Sequence, residues 1–478
     1  MKVSKLLNDV EKFLLIGEDV DVTSLSNKSK GCKKNCLFFC IDGINNDGSK
    51  FVQEAILNGA VCVVSNKKLK VNVTQVIVDD VRSCMSLIAK NFYGNACDKL
   101  KIIGITGTNG KTTSSFIIQH ILNVAGFSVG VIGTNGVFID NKLISEDLTT
   151  PDPIELHYYF KEMKKSNCDF VIMEASAHAI CLKKLVGIKF RVGLFTNITN
   201  EHLDFFGNMK NYSKCKLSFF KKENVDEAVF NVDNAYGRLL AKLNQIPNIT
   251  YGIYNPSNTF AINIETSFSG SKFFVNSLDS IFDIKTNLIG EHNVYNILGA
   301  ISVCKLLNIR DEYILKGVNT LLQVDGRCNV TKLNNNNYII VDFAHTPDGF
   351  EKILGVFRKL VKGKLITIFG CVEYSDTKKR VLMGKVASAY SDYIILTADN
   401  PNNTSIFKIN RDIKAGFKKF KNYTEIEDRK KAIEYGISLL CKNDALIILG
   451  KGGEHKQLIM GNAIKYNEQE VVNNLLNS

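Results

Sequence analysis

The chain has 478 residues, 45% of them hydrophobic and 23% charged, with a net charge of +12; at roughly 150 residues per domain this length asks for about three cores, and the balance is that of a globular chain rather than a disordered one. No apolar run approaches the roughly 18 residues of a membrane-spanning helix, the 13 cysteines follow no paired framework, and residues 1–15 are interrupted by Lys2, Lys5, Asp9, Glu11 and Lys12, so neither membrane insertion nor a leader peptide is read and a reduced, cytoplasmic protein is expected. The lysines are dispersed and no nucleic-acid-binding motif is evident, which makes an anionic small substrate a better use of the charge than nucleic acid.

The first unit, residues 1–97, carries short apolar strands at 36–40, 61–65 and 75–78 with a helix-like stretch at 51–58, the pattern of a small α/β domain. Cys32, Cys36 and Cys40 recur every four residues. Their spacing is not that of a zinc site and no histidine lies nearby, so they read as core cysteines. The second unit, 98–326, opens with an apolar strand at 100–106, a loop at 107–110 and a helix at 111–125. Strands then recur at 129–132, 170–173, 192–196 and 228–231, and this alternation predicts a doubly wound parallel sheet. The third unit, 327–478, alternates strands at 338–343, 364–369, 393–397 and 445–449 with helical stretches, as in a Rossmann-like domain. The polar tract 334–337 reads as a hairpin tip. The expectation is an α/β protein of three domains.

Chemistry enters at Gly104-Ile105-Thr106-Gly107-Thr108-Asn109-Gly110-Lys111-Thr112-Thr113. A strand precedes it and a helix follows, the context of a phosphate-binding loop. Glycines let backbone N–H groups turn toward phosphate oxygens. The helix N-terminus adds partial positive charge, Lys111 a full one, and Thr112 a hydroxyl for Mg²⁺. The spacing is G-x-x-G-x-x-G-K-T rather than the common G-x-x-x-x-G-K-[ST]. A plain glycine turn would leave the lysine and the two threonines unexplained. ATP binding follows, by a central P-loop ATPase sheet, but the loop alone does not name the reaction.

Six motifs in order do so. Thr149-Thr150-Pro151-Asp152, 173–178 (MEASAH), 196–204 (TNITNEHLD), 290–296 (GEHNVYN), 341–348 (VDFAHTPD) and 450–454 (GKGGE), with the loop at Gly107–Thr113, resemble the Mur ligases and the related folylpolyglutamate synthetases across nearly the whole chain. Within that family they look like the ligases that extend UDP-N-acetylmuramoyl-L-alanyl-D-glutamate by the third amino acid in peptidoglycan synthesis.

The resemblance implies roles. Lys111, Lys216, His202 and Glu174 are the catalytic candidates. Gly107, Thr108, Asn109, Gly110, Lys111, Thr112 and Thr113 hold the phosphates of ATP. Asn293 and Asn296 flank its adenine, Arg327 reaches its phosphates and Asp342 its ribose. Thr112, Glu174, His202 and Lys216 serve Mg²⁺, Lys216 after carbamoylation by CO₂, which turns a cation into an anion; Lys214 is its neighbouring rival. Ser29, Thr149, Thr150, Ser176, Lys184 and His345 fall to the UDP-muramoyl dipeptide side. Asp399, Asn400, Asn402 and Glu454 fall to the incoming amino acid. The implied enzyme is a monomer acting through an acyl phosphate.

Three departures bear on selectivity. Ser375, in Gly370-Cys371-Val372-Glu373-Tyr374-Ser375-Asp376, stands where the family has an arginine for the amino acid's carboxylate, and serine makes no bidentate charged pair. Asn402 stands where diaminopimelate-adding relatives have another arginine. Leu182 and Lys184 replace a glutamine and an arginine, and Asn27-Lys28-Ser29-Lys30 is a lysine version of the uridine motif. A paralogous ligase with changed substrates, or a nucleotide-binding protein without activity, are the alternatives.

Overall fold

The computed structural model describes every residue except 44–46, 147, 244, 374–376 and 478. Among the described residues three large sheets follow one another along the chain, with a two-stranded hairpin, Lys456–Ile459 and Asn462–Lys465, near its end. The first has five strands in the order Leu14–Ile16, Thr74–Ile77, Ala60–Ser65, Cys36–Phe39, Ser24–Ser26. All neighbours are parallel except the first pair. Helix Val81–Phe92 starts at Asp80, whose carboxylate accepts the N–H groups of Arg82 and Ser83, and turns Val81, Cys84, Met85 and Ile88 inward. Such a cap stabilises a helix by about 1 kcal/mol. Cys32, Cys36 and Cys40 are buried in the hydrophobic cluster of this unit.

The central sheet has eleven strands. Its middle strand, Lys101–Thr106, runs parallel to Phe170–Glu174 on one side and Phe190–Phe195 on the other. After Lys101 every residue of that strand is buried, as a strand covered on both faces must be. Separate apolar clusters cover the two faces: helices Lys111–Val124 and Glu291–Leu306 on one, helix Pro153–Lys165 on the other. The margins depart from the parallel arrangement read from the sequence. Val129–Gly133, Gly136–Ile139 and Lys142–Ser145 form an antiparallel meander. Thr259–Ser267, Gly270–Ser277 and Ser280–Thr286 form another. The connections are too short for a parallel crossover, so these strands must reverse. Burial alternates along Gly270–Ser277 and Ser280–Thr286.

The third sheet has six strands in the order Asn329–Lys332, Tyr338–Asp342, Ala445–Leu449, Leu365–Phe369, Tyr393–Leu396, Tyr423–Glu425. The first pair is antiparallel around a turn at Asn334–Asn336, and the rest are parallel. The C-terminal strand ends of the second and third sheets, where ligands bind in open α/β sheets, face each other across a cleft. Among the described residues no helix is long and apolar enough to cross a membrane.

Candidate functional site

Strand Lys101–Thr106 ends on the loop that leads into helix Lys111–Val124. Gly107 has φ +151°, and a Cβ there would stand 1.9 Å from Thr196 Oγ1. Gly110 has φ +88°, with Asn296 Oδ1 2.3 Å from the place of a Cβ. Both positions therefore exclude a side chain. The loop is pinned from the neighbouring strand: Thr108 N–H donates to Asn197 O (2.8 Å) and Asn109 N–H to Asn197 Oδ1 (3.0 Å). Lys111 folds back on its own loop, donating to Gly107 O at 3.0 Å and Thr108 O at 2.9 Å. Thr112 and Thr113 open the helix and are buried.

Glu174, at the end of the adjacent strand, is fully buried. Its carboxylate accepts the N–H of Thr134 (3.0 Å) and its hydroxyl (3.1 Å), and that hydroxyl also meets Thr149 Oγ1 at 3.2 Å. Thr150 Oγ1 donates to Glu174 O and approaches Ser176 Oγ, while Ser176 caps the short helix Ala177–Cys181. Lys184 pairs with Asp152 at 2.7 Å, and Asp152 accepts from Asn27 Nδ2 at 3.3 Å. The first unit is thereby joined to the Thr149–Ser176 cluster. Ser29 stays in the first unit, its hydroxyl given to Glu54 at 2.6 Å.

Helix Met209–Leu217 sets the two lysines in different surroundings. Lys214 is exposed, whereas Lys216 is buried, its Nζ against Gly107 O and 4.9 Å from the Tyr212 ring centroid. Burial first, and the charge of Lys111 second, push the Lys216 amine well below the ordinary lysine value. Beside it His202 sits in left-handed backbone (φ 55°), its ring 4.8 Å from that of His178. Burial lowers His202 to about 4 and lowers His178 as well, so both rings are neutral at pH 7. Glu201 lies between His202 Nε2 (3.6 Å) and His345 Nε2 (3.5 Å), its side chain 9% exposed. Burial alone would raise its carboxyl, but the His345 contact and the neighbouring charges outweigh it and hold Glu201 below the usual carboxylate range.

The cleft between the second and third sheets measures about 840 Å³ and is lined by Gly110, Thr113, Asn293, Asn296, Arg327 and Asp342, among others. Asn293 Nδ2 donates to Ile289 O, and Asn296 Nδ2 to Asn293 Oδ1. The Arg327 guanidinium donates to Thr112 Oγ1 at 3.1 Å and lies 4.4 Å from the Phe343 ring centroid. Asp342 accepts N–H groups from Cys328 (2.8 Å) and Ala344 (2.7 Å); burial raises its carboxyl against these donors and Arg327. The phosphate loop meets the third unit again where Asn109 Nδ2 donates to Asp348 Oδ2 at 2.6 Å.

Elsewhere in the third unit Glu454 accepts from Asn400 Nδ2 (3.0 Å) and from the fully buried Lys451 (2.7 Å), with Asp399 3.8 Å from that lysine. Asn402, in left-handed backbone (φ 47°), donates to Glu373 Oε2 at 2.8 Å, and Thr404 donates to Glu373 Oε1 at 3.1 Å. Ser375 lies outside the described residues.

Residues 105–304 match the Mur ligase middle domain, 326–452 the Mur ligase glutamate ligase domain, and 21–93 the Mur ligase family catalytic domain. A Clostridium acetobutylicum protein named UDP-N-acetylmuramoyl-L-alanyl-D-glutamate--2,6-diaminopimelate ligase 1 is 38% identical over 100% of this chain and 99% of its own length. This chain belongs to the Mur ligase family. The Clostridium tetani protein of the same ligase name is also 38% identical, over 100% of this chain and 99% of that one. A solved structure of a ligase so named superposes with a TM-score of 0.70 at 26% identity, covering 100% of this Mur ligase and 99% of the other chain.

The geometry brings the loop, Glu174, Lys216, His202 and Arg327 to one side of the cleft. It leaves Ser29 in the first unit and holds Asp399, Asn400, Asn402 and Glu454 together in the third. Sequence reading missed four participants. Glu201 and Lys451 stood inside quoted motifs but beside residues with more familiar roles. Thr134 and Tyr212 gave no signal, because only the folded chain brings them to Glu174 and Thr108.

Proposed function

We propose that this Mur ligase uses ATP to join the third amino acid, of the diaminopimelate or lysine class, to UDP-N-acetylmuramoyl-L-alanyl-D-glutamate in peptidoglycan synthesis. The observation that carries the reading is Lys216: a buried amine whose charged form burial disfavours, packed against the phosphate loop. In this reading residues 1–97 bind the UDP end through Ser29, residues 98–326 hold ATP, and residues 327–478 hold the amino acid. The enzyme is monomeric and cytoplasmic and acts without nucleic acid or membrane insertion.

The reaction runs in two steps. Lys111 leaves the carbonyls of Gly107 and Thr108 for the outer phosphates of ATP, and Arg327 joins it from the third unit. Both offset charge as the dipeptide's carboxylate attacks the γ-phosphorus, giving an acyl phosphate and ADP. Thr149, Thr150, Ser176 and Lys184 position that carboxylate. The amine of the amino acid, held by Glu454 with Asp399 and Asn400, then attacks the carbonyl carbon, and phosphate leaves as the amide forms. The third unit's contacts at Asn109, Thr112 and Glu201 help keep water from the intermediate.

Among the described residues no group of three His, Cys, Asp or Glu could by itself hold a metal ion. The donors nevertheless suit Mg²⁺ once Lys216 is counted: Thr112 and Glu174 offer hard oxygens, His202 a neutral imidazole, and the Lys216 amine, whose charged form burial disfavours, can in its deprotonated form attack CO₂, release a proton and become a carbamate. Bound there, Mg²⁺ would stabilise negative charge on the transferring phosphoryl group.

A second reading, the same chemistry with a changed amino acid, is favoured by one observation. Asn402 is held by the Glu373 carboxylate, an arrangement that favours an amine over a second carboxylate. Purified protein with ATP, Mg²⁺ and the UDP-linked dipeptide, assayed for phosphate against a panel of amino acids, separates the readings. Oxygen-18 placed in the dipeptide carboxylate is expected in the released phosphate. No amino-acid-dependent phosphate would defeat both readings.

A further inference from the structure

The mechanism gives Glu201 no chemical step, yet its carboxylate, only 9% exposed, stands in a chain of contacts that leaves the phosphate loop and returns to it. Arg327 reaches Thr112 from the third unit at 3.1 Å. Its guanidinium lies over Phe343, with 4.4 Å from guanidinium carbon to ring centroid. The Phe343 ring meets the His345 ring edge-on at 4.8 Å. His345 Nδ1 is fixed on Phe343 O at 2.9 Å, which turns Nε2 to Glu201 Oε1 at 3.5 Å. Glu201 Oε2 lies 3.6 Å from His202 Nε2, and the His202 ring edges toward Tyr212, whose hydroxyl bonds Thr108 of the loop.

We propose that Glu201 is a positioning residue that latches the third unit to the second: its carboxylate joins His345 to His202 and so couples closure of the cleft to the state of the phosphate loop. The histidines on either side are 38% and 42% exposed at their side chains, against 9% for the carboxylate. A carboxylate so enclosed needs its partners to offset lost hydration, so separating the units would strip Glu201 of one of them. Besides the Glu146–His455 pair at 3.7 Å, two other bridges join the second and third units, Asn109 to Asp348 and Thr112 to Arg327. Both end on loop residues that the nucleotide itself approaches. Glu201 ends on His202, outside the loop, so its hold on the third unit does not compete with the nucleotide for a loop residue. The inference rests on the proposed ligase reading only for the identity of the ligands.

The test compares wild type with Glu201→Gln, which keeps the shape and removes the charge, and with His345→Asn, a part-exposed position where misfolding is not at issue. Small-angle X-ray scattering with and without Mg²⁺ and a non-hydrolysable ATP analogue reads closure without turnover. Calorimetry reads analogue affinity, and phosphate release reads kcat and KM. Wild type is expected to compact on adding the analogue. Each variant is expected to compact less, to bind the analogue within about two-fold of wild type, and to lose roughly 10- to 100-fold in kcat. The double variant is expected to be no worse than the poorer single one, as for residues acting as one unit. Additive losses, or full compaction in both single variants, would overturn the latch. A wild type without amino-acid-dependent phosphate release would sink the ligase reading and leave the scattering result to decide the latch.

Discussion

Gly107→Ala puts a methyl where the loop has no room, and its cost can be worked from the coordinates. The backbone sits at φ +151°, and the new Cβ would stand 1.9 Å from Thr196 Oγ1 and 3.0 Å from Asn197 N and O. Holding a non-glycine residue in such a conformation costs about 1–3 kcal/mol. Forcing a methyl into a filled site costs about as much again. Thr196 can yield only by giving up its 2.7 Å bond to Asn109 O, another ~1 kcal/mol. The total is about 3–7 kcal/mol, a large part of the roughly 5–15 kcal/mol that stabilises a typical domain. If the loop moves instead, the loss appears in nucleotide binding, where ~1.4 kcal/mol is a factor of ten, so at least ~100-fold is expected. Calorimetric titration with an ATP analogue, beside urea denaturation, measures both. Gly126→Ala is the control: φ is +90° but nothing stands within 4 Å of the added carbon, so it should lose about 1–2 kcal/mol of stability and keep its affinity. Analogue binding at wild-type strength by Gly107→Ala, or an equal loss in Gly126→Ala, would refute the argument.

Four further outcomes are expected. Lys216→Met should release no phosphate while still binding the ATP analogue, and the exposed Lys214→Met should behave as wild type; gentle mass spectrometry in bicarbonate should find one CO₂ on wild type and none on Lys216→Met. Arg327→Lys loses a charged hydrogen bond of about 1.5–3 kcal/mol, so kcat/KM for ATP should fall roughly 10- to 100-fold in the phosphate assay. Burial lowers His157 from 6.5 to about 3, so its contribution to stability is intact above pH 6.5 and is lost as pH falls toward 3, where the unfolded chain binds a proton that the folded one refuses. About 2–3 kcal/mol should go between pH 7 and pH 4.5 in denaturation curves, and His157→Phe should flatten that dependence. Asn402→Arg should raise use of a diamino acid with a distal carboxylate by roughly ten-fold in the amino-acid panel, and no change would remove Asn402 from the amino-acid end.

The parallel middle of the central sheet was legible because its strands are unbroken apolar runs between amphipathic helices, and the turn at Gly107–Gly110 because its glycines sit between strand and helix. The antiparallel margins were not: residues 259–286 alternate polar and apolar, a signal that does not say which neighbour a strand will join. The loop's pinning to Asn197 and Glu174's dependence on Thr134 needed the fold, since neither partner is near in sequence. Lys214 and Lys216 could not be told apart by composition. Two residues on a helix differ in direction by about 200°, and only the packed helix says which one looks inward.

Lys111 has two carbonyl partners within its own loop. A nucleotide must therefore outbid an internal claim on that ammonium, and its binding strength reflects only the surplus. The same claim works in reverse after turnover. A cation that can return to its own backbone leaves no stranded charge behind, and spent ADP departs from a site already able to satisfy itself.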